Sequence, residues 1–143
     1  MMNDLFDLNR FVEAQDHVYD SVISELKNGE KQGHWMWYVF PQVKGLGSTS
    51  ISVKFSISSK NEAIAYLNHP ILGERLKQCT ELVLNINGRT SEQIFHYPDT
   101  LKFRSCMTLF DVASESDRIL KDALQKYFGG IPDQRTIDIL NNS

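Results

Sequence analysis

Across residues 7–26 the apolar positions Leu8, Phe11, Val12, Val18, Val22 and Leu26 recur at three- and four-residue steps, and Asn28 and Gly29 follow as a stop signal. The spacing predicts one amphipathic helix. Ser59 with Glu62 forms a capping-box pair that opens a short helix through Tyr66 and Leu67, which His69 and Pro70 break. Pro70 suits the first turn of the next helix, whose apolar stripe is Leu72, Leu76, Cys79, Leu82 and Val83 and whose end falls near Asn87 and Gly88. Thr90 with Gln93 is a second capping box. Asp99 is expected to cap a helix with Phe103, Met107 and Phe110 on its buried side. A further stripe of Ile119, Leu120, Ala123, Leu124 and Phe128 precedes Gly129 and Gly130, and Ile137 with Leu140 marks a short terminal helix. Only Ile51, Val53, Phe55 and Ile57 alternate with period two, as an extended segment would, and one strand makes no sheet.

Residues 35–40 are apolar all the way round, so a helix there is buried on every side until Pro41 ends it. The fold class that follows is all-α: a single multihelical domain spanning residues 1–143, with amphipathic helices wrapped around a buried central helix.

Composition agrees with this. In 143 residues, 41% are hydrophobic and 23% charged, as in one globular domain able to bury a core. Fifteen Lys and Arg against eighteen Asp and Glu leave a net charge of −3, and the cations are scattered. Duplex nucleic acid is thereby disfavoured as a partner. No apolar run approaches a membrane span. Cys79 and Cys106 stand too far apart for a CxxC pair, and no secretory signal opens the chain, so two reduced, buried thiols in a cytoplasmic protein are expected.

The richest chemistry lies in residues 34–50, which hold both tryptophans, Trp35 and Trp37. A tryptophan carries a large apolar surface with one N–H, suited to a core, a pocket or an interface. His34 stands at the positive end of the expected central helix, where it is either a polar cap or a neutral hydrogen-bonding group at a pocket floor. After Gln42 comes a loop with Lys44, Gly45, Gly47 and Ser48. Its glycines permit backbone N–H groups to turn inward around an anion, or they simply make a tight connection. It matches neither a Walker loop nor a dinucleotide fingerprint. Lys102, Ser105 and Thr108 follow three-residue steps along one side of the helix after Asp99, as a pocket wall or a solvated face. Arg75 either binds an anion or pairs with a carboxylate. The four histidines show no metal-ligand spacing, so neither a metal nor a cofactor is expected, and no catalytic residue can be assigned.

Several stretches, taken in order, resemble one family: residues 6–15 (FDLNRFVEAQ) with Tyr19, 31–42 (KQGHWMWYVFPQ), 45–48 (GLGS), 62–67 (EAIAYL), 69–76 (HPILGERL) and 99–110. They are similar to the domain of unknown function 1810 family, small proteins whose bacterial members are often labelled calpastatin. The resemblance implies a single multihelical domain with a buried central helix and implies no activity. A calpastatin-type inhibitor is a disordered segment that folds on its target, which capped amphipathic helices contradict. Where the family usually has a glycine after Ile-Phe, this chain has His96 and Tyr97. Two functional classes remain. One is a pocket for a small anionic metabolite or nucleotide, built from His34, Trp35, Trp37, Gln42, the 44–50 loop, Lys102 and Ser105, with Arg75 and Asp99 as further contributors. The other is a non-catalytic module that docks a protein partner.

Overall fold

The structure is a computed structural model that describes residues 4–115 and 117–142, and ten helices form among them. The stretch expected as one helix over 7–26 is two, α1 (Asn9–Asp16) and α2 (Tyr19–Lys27). Val18 leaves the helical region at φ −128°, and its carbonyl starts the new ladder by accepting from Val22 N–H at 2.9 Å. Phe11 and Gln15 of α1 and Val22 and Leu26 of α2 are all buried on either side of the break.

The central segment is buried at Trp35, Met36, Val39 and Phe40, although its helix, α3 (Met36–Val39), is a single turn and leaves Trp37 and Tyr38 half-buried. Around it Phe40 meets Phe95 and Phe103 edge-on at 5.7 and 5.1 Å, and Phe95 stacks on Phe103 at 4.6 Å. The residues expected to be extended form α4 (Ser50–Lys54) instead. Thr49 caps it by accepting from Ser52 N–H, so Ile51 and Val53 face outward, while Ile57 pairs with Val43 in an isolated parallel bridge. Local capping outweighed the two-residue alternation.

Helices α5 (Lys60–Asn68) and α6 (Leu72–Leu84) pack closely, because a Cβ on Gly73 would stand 2.1 Å from the Leu67 carbonyl oxygen. Ser59 caps α5, yet Glu62 does not reach back to it: its carboxylate takes the Ser58 N–H and hydroxyl and pairs with Arg10 at 2.9 Å. In α7 (Ser91–Phe95) both halves of the Thr90 and Gln93 box are made.

Helix α8 (Asp99–Ala113) is the longest helix among the described residues and packs against α5, α7, α9 (Ile119–Phe128) and α10 (Gln134–Asn141). Asp99 does not cap it. Lying already inside the first turn, its carboxylate pairs with Lys31 at 2.7 Å and Lys102 at 3.3 Å. Gly129 ends α9 in the left-handed conformation, and Asp133 caps α10.

Candidate functional site

The polar stripe of α8 is not a solvated face. Ser105 and Thr108 are buried at 6% and 1% exposure, where an unpartnered hydroxyl would be costly. Thr108 Oγ1 donates to the Arg104 carbonyl and accepts from Asp133 N–H at 2.8 Å. The Ser105 hydroxyl is shared between the Leu101 carbonyl at 3.1 Å and Asp133 Oδ2 at 3.0 Å. The same Oδ2 accepts from the Thr136 N–H at 3.2 Å and the Thr136 hydroxyl at 2.5 Å. These hydroxyls therefore fasten the start of α10 to α8.

Beside this junction opens a cleft of about 510 Å³, between α8, the start of α10, the α3 turn and the loop running into α4. Trp37, Gln42, Gly47, Ser48, Lys102 and Ser105 all line it, so six of the sequence-derived residues converge from three separate stretches of chain. Lys102 Nζ lies 4.8 Å from the Trp37 ring centre, held between that ring and Asp99. Gly47 is required by close approach, since a Cβ there would meet Ser52 Oγ at 2.6 Å. Arg104 and Arg135 join Lys102 in the lining, against Asp133 as the one carboxylate among those lining residues. Asp99 adds no net negative charge, because Lys31 balances it. A cation-rich cleft thus sits in a chain whose net charge is −3.

The other expected residues lie elsewhere. His34 is exposed and does not line the cleft. Trp35 is buried, its indole N–H donating to Glu25 Oε1 at 3.0 Å. Lys44 borders a different depression with Arg10 and Glu62, while Gly45 at φ +107° passes the side chain of Ile139. Arg75 reaches Asp16 at 2.8 Å and so serves as the carboxylate partner rather than the anion binder. Asp99 stays behind Lys102. What the sequence reading missed is Arg104, Asp133 and Arg135. Arg104 is one turn before Thr108 on the same stripe, and Asp133 with Thr136 is a capping pair, so both had a signal; Arg135 had none.

Burial pushes the Cys79 thiol up to about 12, against the lowering influence of Tyr19 and Arg75, and Cys106 well above its ordinary value. Both cysteines are free. Burial on its own raises the Glu25 carboxyl, but the N–H groups of Gly33 and Gln32, the Trp35 indole and Lys31 together hold it below its ordinary value.

A family model described as "Protein of unknown function (DUF1810)" matches residues 5–140. The chain belongs to the DUF1810 family. A solved structure, that of the conserved hypothetical protein Rv1873 from Mycobacterium tuberculosis at 1.38 Å, is similar to it over nearly its whole length. The two share 52% identity, the match covers 96% of this chain and 99% of the other, and the TM-score is 0.96. No curated protein matches the chain. Family and neighbour carry a fold and no activity, so a functional reading of this DUF1810 member rests on the cleft. Among the described residues no helix is long and apolar enough to cross a membrane.

Proposed function

We propose that this protein, working in the cytoplasm where its two thiols stay free, binds a small anionic metabolite in the cleft beside Trp37. The observation that carries the reading is convergence of chemistry. Lys102, Arg104 and Arg135 supply positive charge, Trp37 supplies an aromatic wall, and Gln42 with Ser48 supplies hydrogen-bonding groups, within a volume suited to a metabolite. Arg135 forms no ion pair among the described residues, and Arg104, whose guanidinium lies 5.5 Å from the Phe128 ring centre, gives only Nε–H to a hydrogen bond, donating to the Ile131 carbonyl at 2.9 Å, so both guanidinium groups keep donors for an anion.

The test is native mass spectrometry of freshly purified protein, followed by thermal-shift titration with phosphate- and carboxylate-bearing metabolites. A retained or stabilising anion is expected, with at least tenfold weaker binding in Lys102→Ala and Arg135→Ala. His34→Ala, outside the cleft, should bind as the wild type does. No stabilising anion in either experiment sinks the reading.

A second reading, a non-catalytic interaction module, draws on a different observation. Ile51 and Leu101 line the cleft while 37% and 48% exposed, and Tyr97, before the cleft residue Pro98, is 77% exposed. Tyr97→Ser, at an exposed residue outside the cleft lining, should abolish capture of a protein partner under this reading while leaving anion binding in place.

A further inference from the structure

We infer that Asp133 is the specificity-determining residue of the cleft and that the occupant is a ribonucleoside phosphate, its ribose hydroxyls donating to Asp133 Oδ1. The inference rests on the cleft being an anion site as proposed above. Its own support is the unequal use of the two carboxylate oxygens. Oδ2 takes three donors, from Ser105 and from the N–H and hydroxyl of Thr136, while the Asp133 backbone N–H is tied to Thr108. The carboxylate is therefore fixed in position. Oδ1 takes none, and among the described residues no buried side-chain oxygen lacks a partner, so Oδ1 is reached by solvent on a residue that lines the cleft.

No cation neutralises it: Lys102, Arg104 and Arg135 share the cleft, yet none comes within ion-pair distance of Asp133 among the described residues. A bare anion entering this site meets an unpaired carboxylate that repels it. A ligand that carries hydroxyl donors next to its anionic group turns that repulsion into charge-assisted hydrogen bonds. A carboxylate facing a ribose diol, cations facing a phosphate and an aromatic wall facing a base together describe a ribonucleotide. About 510 Å³ is room for one.

The experiment measures binding by calorimetry for the four ribonucleoside 5′-monophosphates, their 2′,3′-dideoxy counterparts and inorganic phosphate. At least one ribonucleotide should bind tenfold or more tighter than its dideoxy form. Asp133→Asn keeps a capping oxygen for Thr136 and puts an amide N–H₂ at the open position. It should erase the discrimination without weakening phosphate or dideoxy binding. If the wild type binds ribo and dideoxy forms alike, the inference is overturned and the anion cleft stands. If neither nucleotides nor phosphate bind, the inference is overturned, and the anion cleft falls with it only where the metabolite titration also finds no stabilising anion. The wild-type comparison decides even if the variant fails to fold.

Discussion

His96 holds φ +67° and ψ 160°, a region open almost only to glycine. The backbone has no freedom to relax. His96 N–H donates to the Glu92 carbonyl at 2.8 Å, closing α7, and its own carbonyl accepts from Thr100 N–H at 2.9 Å, opening α8. A non-glycine residue in that conformation costs about 1–3 kcal/mol. Glycine would return about 0.5–1 kcal/mol of this through its greater unfolded-state freedom. Its side chain contributes one exposed pair with Glu30 at 3.0 Å, worth about 0–1 kcal/mol. His96→Ala loses that pair and keeps the strain, whereas His96→Gly loses the pair and sheds the strain. The glycine variant should therefore be more stable than the alanine variant by about 1 kcal/mol, or roughly 3 °C in melting temperature. That inverts the usual order of the two residues. Urea denaturation and thermal melts of both variants measure it, and an alanine variant as stable as the glycine one refutes the reasoning.

Gly73→Ala should cost about 3 kcal/mol, on the order of 10 °C in a thermal melt, because the new methyl meets backbone rather than a flexible side chain; a near-wild-type melt would show that α5 and α6 can part freely. Cys79 and Cys106 should react slowly with thiol reagents in the native protein and rapidly in urea, and fast native labelling of either would contradict their burial. Glu25→Gln should destabilise by about 1–2 kcal/mol at neutral pH, since the carboxylate accepts from Gln32, Gly33 and Trp35. The Glu25 pKa is lowered on folding, so its contribution is present above the ordinary carboxyl range and is lost as pH falls through the folded value. The gap between wild type and variant should close in acid, and a gap unchanged from pH 7 to pH 3 would refute the assignment.

Helices with a continuous apolar stripe were legible: α6, α8 and α9 stand where Leu76, Phe103 and Leu124 put them. Elements set by one backbone residue were not. Val18 splits the first helix by its backbone conformation alone, and Thr49 turns an alternating segment into α4, because a capping hydroxyl acts within three residues whereas periodicity needs many. For the cleft, the sequence brought together Trp37, Gln42, Ser48 and Lys102, whose residue types are unusual enough to stand out. It misplaced His34 and Arg75 because whether a polar side chain faces a pocket or a carboxylate is decided by tertiary packing. Arg75 was answered by Asp16, 59 positions away.

Where hydrogen-bonding capacity is left over distinguishes the cleft from the rest of the molecule better than any motif does. Elsewhere the buried polar groups close on one another. Gln15 gives its amide to the Tyr38 carbonyl and the Tyr66 hydroxyl, Glu62 takes Ser58 and Arg10, and Lys31 meets Asp99. Such closed sets hold α1, α5 and α8 in place and have nothing to offer a ligand. At the cleft the sets stop short: Asp133 is saturated on one oxygen and open on the other, Arg104 hydrogen-bonds through Nε alone while its guanidinium lies over Phe128, and Arg135 has no partner among the described residues. Water satisfies these groups at no structural cost because they face the opening. A ligand that replaces that water gains fixed, pre-oriented partners without reorganising the core behind them. A rigid wall of α8 hydroxyls behind incompletely used charged groups is therefore a reason to look for binding here, whether or not chemistry follows it.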